Sequence, residues 1–442
     1  MIKFFSIIIQ IFLILFVSLI IINNSFIVSI EIYDFIYSIS SSYLFIILLF
    51  LLFLLFLLLN FYFKTKYFFN KFKISKKIKN QEKGYNSFVN GMIALANKDY
   101  KKAILESNKM SNYLDGSPSL SLLLKSEVYK VEKKFEDLNI VYEKMSKNKS
   151  TMNLAYRGMM EQYIQAQDYH HAFIYGEKLF NNNPFIEKIY DALINIISKT
   201  NNWQQLIIIT EKAYSKKIIN KKIYQDNKSI GYYEIAKAKQ FSEIKESLIY
   251  IKNALNLRKN FPPYVILYIK LLIENKNFNI AKKFLKKVWN ENSHPEYKIV
   301  ISKLAYYLNT EITELAKYII AGNYETENSR MLLVEASISS KKWDEARNQI
   351  KNLIDVKPKK EVCLLMAKIE EGDSNDIQKI KSWQLRSKNG ANSDLWVCMV
   401  SKRSQFEWSS VSDSGYFNSL EWKQPFVLKQ IQDNNNTVFY DN

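Results

Sequence analysis

The sequence predicts an all-α membrane protein, with two transmembrane helices, an α-solenoid of paired helices and a small irregular or β-rich C-terminal cap. Three observations lead to this fold class. The N-terminal part is strongly apolar, a pattern recurs every 34 or 35 residues through most of the rest, and the C-terminal part is rich in tryptophan. The predicted domains are a membrane hairpin with a basic flank (1–83), a helical array (84–388) and a cap with a frayed tail (389–442).

Two apolar stretches, residues 4–22 and 43–63, are long enough to cross a bilayer. At about 1.5 Å per residue the second reaches roughly 31 Å, which matches a hydrocarbon core of about 30 Å. A cleaved signal peptide is the alternative for the first stretch. However, a single Lys3 precedes it and no A-x-A cleavage pattern follows it. We therefore expect two spans, joined by a loop in which IVSIEIY alternates like a short strand.

A basic segment follows the second span directly. KTKYFFNKFKISKKIKNQEK contains eight lysines and one acidic residue, whereas the loop between the spans contains Glu31 and Asp34 and no Lys or Arg. The positive-inside rule therefore predicts that both termini are cytoplasmic. The lysines can also hold anionic lipid head groups, at about 1 kcal/mol each, although a topology signal explains them equally well. The predicted membrane-surface residues are Lys64, Lys66, Lys71, Lys73, Lys76, Lys77 and Lys79.

From Gly84 onward the sequence reads as paired helices. QDYHHA and KKWDEA share an aromatic residue, a short polar turn and an alanine, and related units place Ala103, Leu138, Ala172 and Leu206 at steps of 35, 34 and 34 residues. About ten extra residues near 216–230 break the phase. A period near 34 with two helices per unit resembles the tetratricopeptide repeat and implies seven or eight units. The residues expected to pack the repeats are Gly91, Ala103, Ala172, Ala281 and Ala346, with Pro184 and Pro358 at unit ends.

The sequence offers little for catalysis or for nucleic-acid binding. GxGxxG, GxxxxGK[ST], HExxH and GxSxG are all absent, so we predict a non-enzymatic protein without cofactor or metal. His170 and His171 lie next to each other in a predicted turn, His294 adjoins a proline, and Cys363 and Cys398 form no disulfide framework.

The net charge of +19 is dispersed and interleaved with acids, as in a protein from an AT-rich genome, so we predict no nucleic-acid partner. Repeat solenoids present a concave surface to other polypeptides, so we expect protein partners there.

The two ends of the chain carry a family resemblance. A double span leads into GYNSFVNGMIALANKDYKKA, and the array closes with VCLLMAKIEE, Trp383, WVC and FNSLEW. This order resembles HemY-type proteins of proteobacterial inner membranes. The resemblance implies an inner-membrane location and a link to a late stage of haem or protoporphyrin metabolism, with tetrapyrrole-pathway enzymes as candidate partners. The flavoenzyme protoporphyrinogen oxidase, which shares the HemY name, is excluded by the missing dinucleotide fingerprint.

The C-terminal segment is also similar to the rubredoxin-like end of a related membrane adaptor that regulates lipopolysaccharide synthesis. That end would need two CxxC pairs, and here the four positions hold Cys398, Ser401, Val411 and Ser414. One thiolate cannot replace four ligands of a structural metal, so we expect a metal-free cap.

Three functional hypotheses follow. The first is a membrane-anchored scaffold that recruits proteins at the cytoplasmic face. The alternative is an adaptor that regulates envelope lipid or lipopolysaccharide synthesis. The third is an enzyme of tetrapyrrole metabolism, for which the sequence offers no residue set. His170, His171 and Cys363 are conceivable haem ligands, but the CxxCH motif is absent.

Overall fold

Helices make up most of the structure, and short strands lie near both ends. The computed structural model describes residues 12, 16–20, 23, 26–32, 35–114, 119–354, 358–426, 428–429 and 439–440. Two compact units divide the chain, Met1–Val141 and Tyr142–Asn442. Most of the first predicted span, residues 4–22, lies outside the described residues, and so does most of the predicted frayed tail.

The N-terminal unit begins with a β-hairpin. Strand β1 (Ile27–Ile32) covers the first six of the seven residues IVSIEIY predicted as a short strand, and it pairs antiparallel with β2 (Phe35–Ser40), which was not predicted. The hairpin leads without a connecting loop into helix α1 (Ser41–Ala96). The amide of Ser41 donates to the carbonyl of Phe26 at 2.9 Å, and the amide of Phe26 donates to the Ser41 hydroxyl at 3.2 Å. These bonds fasten the start of the helix to the hairpin.

Helix α1 combines a membrane-crossing segment with the start of the array. It has 56 residues, which corresponds to about 84 Å at 1.5 Å per residue. In the part of the chain that the structure describes, it is the one helix that is long and apolar enough to cross a membrane, with a mean hydropathy of 3.2 over its most apolar window. It runs through Gly84 without a break, although the sequence analysis put a domain boundary there. Two transmembrane helices are therefore not established.

The array consists of helix pairs. Among the described residues there are nine pairs, where the sequence analysis counted seven or eight, and the C-terminal part of α1 serves as the first helix of the first pair. The other first helices are α3 (Ser119–Glu132), α5 (Met152–Gln165), α7 (Ile189–Thr200), α9 (Lys221–Lys239), α11 (Pro262–Glu274), α13 (Lys298–Leu308), α15 (Glu327–Ser339) and α17 (Lys360–Asp373). The second helices are α2 (Tyr100–Tyr113), α4 (Phe135–Ser146), α6 (Tyr169–Asn182), α8 (Trp203–Ser215), α10 (Ile244–Leu257), α12 (Phe278–Glu291), α14 (Ile312–Ile320), α16 (Trp343–Ile350) and α18 (Ile377–Lys388).

The second helices keep the sequence period. Each begins with an aromatic residue or isoleucine, and successive starts lie 34 or 35 residues apart with two exceptions. The step from Trp203 to Ile244 is 41 residues, and the step from Ile312 to Trp343 is 31. The long step reflects helix α9, which has 19 residues, and the loop before it. The insertion is thus seven residues relative to a 34-residue period, rather than the predicted ten or so.

A recurrent turn joins the two helices of a pair. In seven pairs a residue with positive φ ends the first helix, and the residue after it precedes the second helix. In the first pair Lys98 has a φ of 60°, and the amide of Asp99 donates to the carbonyl of Ala94 at 2.8 Å. This is the six-to-one bond of a Schellman motif. Asp99 then caps α2 by accepting a bond from the amide of Lys102. The left-handed residues are Lys98, Lys133, Gln167, Asn201, Lys276, Lys341 and Asn375.

The C-terminal segment forms a small antiparallel sheet. Strand β3 (Leu395–Cys398) is central and pairs with β4 (Ser404–Gln405) and with β5 (Leu420–Lys423). A separate pair, β6 (Leu428–Lys429) and β7 (Phe439–Tyr440), follows. The main hydrophobic core runs from Met160 to Ala336 and includes Trp396, Cys398, Trp408 and Leu420 of the C-terminal segment.

The left-handed turn residue allows a test of the repeat geometry. We expect Lys276→Gly to raise the free energy of unfolding by about 0.5–1 kcal/mol. The substitution removes the left-handed strain of a lysine, which is about 1–2 kcal/mol, but the more flexible unfolded chain of the glycine variant offsets about 0.5–1 kcal/mol of that gain. The control Lys270→Gly, at an exposed position inside α11, should lower it by about 1 kcal/mol. Denaturant unfolding of the full chain in detergent measures both. Equal destabilisation by the two substitutions would contradict the assigned turn.

Candidate protein-binding face of the helical array

The residues predicted to pack the repeats lie inside the array. Ala103, Ala172, Ala281 and Ala346 are fully buried, and each stands in the first turn of a second helix. A Cβ on Gly91 would come within 2.4 Å of the Leu124 side chain, so α1 and α3 approach closely at this glycine. Pro184 and Pro358 are buried in the segments between helix pairs.

The predicted membrane-surface lysines are exposed on helix α1. They project from the twenty residues that follow its apolar part, among exposed aromatic side chains such as Tyr67, Phe68 and Phe72. Lys66 Nζ lies 5.8 Å from the ring centre of Tyr62. This mixture of lysine and aromatic residues suits the interface between a bilayer and water. The seven residues are Lys64, Lys66, Lys71, Lys73, Lys76, Lys77 and Lys79.

The C-terminal segment packs against first helices in the middle of the array. The Trp408 ring lies 5.2 Å from the rings of Tyr233 and Phe261 and 5.9 Å from that of Tyr264. Tyr233 belongs to α9, and Phe261 and Tyr264 lie at the start of α11. The predicted cap at the end of the solenoid is therefore wrong in position, because Trp396 and Trp408 pack on aromatic rings in the middle of the array.

Polar contacts hold the same segment. The indole Nε1 of Trp396 donates to Glu296 Oε1 at 2.8 Å, and Asn418 Nδ2 donates to Asn227 Oδ1 at 3.2 Å. Asn227 in turn donates to the hydroxyl of Tyr190 on α7. The segment therefore contacts α9, α11 and the short 3₁₀ helix that precedes α13, and it is linked to α7 through Asn227. Part of the first-helix face is thus covered by the chain itself.

The four positions related to a metal knuckle lie on facing turns. The amide of Ser401 donates to Cys398 Sγ at 3.4 Å, and the Ser414 hydroxyl donates to the Ser401 hydroxyl at 2.8 Å. Val411 instead bridges to Phe417. Burial raises the pKa of the Cys398 thiol, but hydrogen bonds from Ser401, Ser419 and Ser412 outweigh it and lower the pKa to about 6. Hydroxyl groups thus surround the one thiol of this turn pair.

The other candidate ligands do not converge. His170 and His171 lie in the first turn of α6, not in the turn before it, and both are exposed. Cys363 is fully buried in α17, where burial raises its pKa. Within the described ranges, no group of three or more His, Cys, Asp or Glu side chains is arranged to hold a metal ion.

An open cavity of about 820 Å³ lies between the C-terminal segment and the first helices α13, α15 and α17. The helix side contributes Lys298, Glu327, Glu335 and Glu361, and the C-terminal side contributes Asp394 and Trp422, among others. Lys298 Nζ lies 2.8 Å from a carboxylate oxygen of Glu335 and 3.4 Å from one of Glu361. The cavity could not be predicted from the sequence, because its two walls are far apart along the chain.

His294 lines this cavity and is buried, whereas the sequence suggested an ordinary turn residue. Its ring centre lies 4.6 Å from that of Trp422, and its Nδ1 accepts a bond from the amide of Glu296 at 3.3 Å. Burial lowers the pKa of His294 from 6.5 to about 4, so the ring is neutral at pH 7. Its Nε2 has no hydrogen-bond partner among the described residues.

Comparison with known proteins supports the sequence-based resemblance at the N-terminal end. The family model "HemY protein N-terminus" matches residues 27–129, which confirms the resemblance to HemY-type proteins in this segment. No curated protein sequence matches the chain.

Solved structures with similar architecture are helical repeat proteins. A chain of the Naa15/Naa10 complex bound to HypK-THB is 13% identical with a TM-score of 0.41; the match covers 70% of this chain and half of that one. The TPR2AB-domain:pHSP90 complex of yeast Sti1 is 10% identical over 69% of this chain and 98% of its own, with a TM-score of 0.30. Pseudomonas aeruginosa PilF is 10% identical over 70% and 99%, with a TM-score of 0.22. At these TM-scores the matches contribute nothing to the assignment of a function.

The docking of Trp408 can be tested by truncation. We expect Trp408→Ala to lower the free energy of unfolding by about 3–5 kcal/mol, because it leaves a cavity among three aromatic rings. Phe406→Ala is the matched control, since Phe406 is 83% exposed, and should change it by less than about 0.5 kcal/mol. Hydrogen exchange should also rise throughout residues 395–423 in the Trp408 variant alone. Unchanged exchange there would refute the packing.

The burial of His294 predicts a pH dependence of stability. Its pKa falls from 6.5 to about 4 on folding, so the unfolded chain binds more protons within this window. Stability due to the neutral ring is therefore lost as the pH falls from 6.5 towards 4. We expect His294→Phe to show a shallower fall in thermal midpoint over this range, whereas His171→Phe, at an exposed site, should follow the unmodified chain. Parallel curves for all three proteins would contradict the assignment.

Proposed function

We propose that this protein is a membrane-anchored, non-enzymatic scaffold that recruits other proteins to its helical array. The observation that carries the proposal is the dual role of helix α1, whose apolar part is exposed along its length and whose C-terminal part forms the first helix pair. Exposed apolar surface of this extent needs a bilayer, because water contact would cost about 25 cal/mol for each Å². No flexible linker separates the anchor from the first repeat.

The proposed topology includes two spans. Residues 4–22 form the first, residues 43–63 the second, and the lysine-rich segment of α1 lies at the cytoplasmic surface of an inner membrane. Both termini are then cytoplasmic. The resemblance to HemY-type proteins supports tetrapyrrole-pathway enzymes as partners and residues 84–388 as the recruiting domain, with residues 389–442 as an accessory segment.

An adaptor that controls envelope lipid or lipopolysaccharide synthesis is the second candidate. The specific observation in its favour is the pair of facing turns at Ser401 and Ser414, which lie at the positions of a metal knuckle. Depletion of the protein distinguishes the two functions. Accumulation of porphyrins with normal envelope lipids supports the first, and altered envelope lipids without porphyrin accumulation support the second.

Site-specific photocrosslinking in intact membranes tests the scaffold function. Crosslinkers at Leu154 and Ile223 report on first helices, and crosslinkers at Ile249 and Ile280 on second helices; all four side chains are exposed aliphatic groups. We expect the first-helix positions to capture the same one or two proteins, identified by mass spectrometry, even after a high-salt wash. The second-helix positions should capture neither. Capture of lipid alone, or equal capture at all four positions, would overturn the proposal.

A further inference from the structure

The cavity beside the C-terminal segment has a charge opposite to that of the chain. Five carboxylate side chains and three lysines line it, in a protein whose net charge is +19. Two lysines are already matched: Lys359 Nζ lies 2.7 Å from a carboxylate oxygen of Glu327, and Lys298 bridges Glu335 and Glu361. Because one lysine faces both Glu335 and Glu361, this group keeps a net negative charge. The lining carboxylates are Glu296, Glu327, Glu335, Glu361 and Asp394, and the lining lysines are Lys298, Lys359 and Lys360.

Asp394 adds a second uncompensated negative charge. It is exposed at the cavity wall, and it has no ion-pair or hydrogen-bond partner among the described residues. Its neighbour Ser393 donates a hydrogen bond to Glu361 Oε2 at 3.2 Å. This hydrogen bond joins the C-terminal side of the cavity to the α17 side, next to Glu361 and Asp394. A ligand that enters between them meets carboxylates from both walls.

His294 supplies an unused hydrogen-bond donor. Its Nδ1 accepts a bond from the amide of Glu296, so the neutral ring carries its proton on Nε2. That Nε2–H is buried without an acceptor among the described residues, and only 7% of the residue is exposed. A buried donor without a partner is costly. A carbonyl oxygen of a ligand would satisfy it.

Apolar side chains accompany these polar groups. Phe406 is 83% exposed, Ile299 is 55% exposed and Leu364 is 40% exposed, and all three line the cavity. Met331 and Trp422 also belong to the apolar part of the lining. Aromatic and aliphatic surface beside a few polar groups is typical of sites that bind side chains of a partner protein.

We propose that this cavity binds an extended segment of a partner protein that carries a lysine or arginine next to an apolar residue. The ammonium or guanidinium group pairs with Glu361 and Asp394, a backbone carbonyl accepts the proton of His294 Nε2, and the apolar side chain packs against Phe406 and Leu364. This inference rests on the proposed scaffold function and assigns one of its binding sites.

Other ligand chemistries satisfy fewer of these groups. An anion would meet five carboxylates and three lysines, of which Lys298 and Lys359 are already paired and Lys360 alone has no ion pair among the described residues. A polyamine would match the charge but would leave the donor of His294 without an acceptor. A purely apolar segment would bury Asp394 with no group of opposite charge and would leave Glu361 sharing Lys298 with Glu335, which is unfavourable.

A positional-scanning library of capped hexapeptides, titrated against the full chain in detergent micelles, tests the site. We expect lysine and arginine to be enriched at one position and an apolar residue beside it. The double variant Glu361→Gln with Asp394→Asn should weaken the selected peptide about ten-fold or more and remove the preference for a basic residue. His294→Phe should weaken it without removing that preference. Glu274→Gln is the matched control, since Glu274 forms an exposed ion pair with Lys303 away from the cavity.

Three outcomes of the peptide titration would contradict the proposed site. Selection of acidic or uncharged peptides, absence of selection, or a preference that survives the double variant would overturn the site. Hydrogen exchange across residues 289–425 should match in all variants, and a double variant that alters it is replaced by Asp394→Asn alone, at an exposed side chain. Photocrosslinking from Leu154 and Ile223 in the double variant separates the two proposals: capture that persists there leaves the scaffold function intact while the peptide site fails.

Discussion

The packing of Trp408 among Tyr233, Phe261 and Tyr264 is the contact on which the C-terminal half of the structure depends. It brings residues separated by more than a hundred positions into one core, and this core includes Trp396, Cys398 and Leu420. The indole of Trp396 then reaches Glu296, and Trp422 comes to lie beside His294. Without this docking, the cavity would have only one wall. The large apolar area of tryptophan makes such a contact effective.

The helix pairs themselves are held by short-range chemistry. Each recurrent turn uses a left-handed residue to end one helix, and in four of the seven turns the side chain of the next residue caps the following helix. Lys98 with Asp99 and Gln167 with Asp168 show this arrangement clearly, since both aspartates accept amide bonds from the helix that they precede. A turn of fixed length, followed by an aromatic residue and a small residue, sets a fixed distance between pairs. The period of about 34 residues follows from this repetition.

These two kinds of interaction explain what the sequence could predict. Ala103, Ala172, Ala281 and Ala346, which are buried in the structure, could be predicted as packing residues because each lies at a fixed, short distance from a turn and an aromatic residue. The left-handed lysines were missed, because lysine shows no turn preference in the way that glycine or asparagine does. Of the membrane-anchor prediction, the structure supports one span, on helix α1.

The site was harder to predict than the array. His294 reads as a turn residue because Pro295 follows it, and its burial comes from Trp396 and Trp422, which lie more than a hundred residues away. The docking position of the C-terminal segment was misplaced for the same reason: a run of tryptophans shows that a core exists but does not show which helices supply its other half. Long-range contacts of this kind have no local sequence pattern.

The local charge of the cavity has a consequence for how a partner would be recognised. At physiological ionic strength the Debye length is about 8 Å, so an exposed patch with a slight excess of carboxylates is felt only at short range. The chain as a whole carries a charge of +19 and does not attract a basic partner from a distance. Charge therefore acts late in such an encounter, after apolar contact has begun, and it discriminates between partners rather than accelerating association. In the proposed site, the buried His294 requires a carbonyl acceptor at a fixed position, and the exposed Asp394 requires a cation nearby. A site with both requirements selects a segment of defined sequence rather than a merely basic surface.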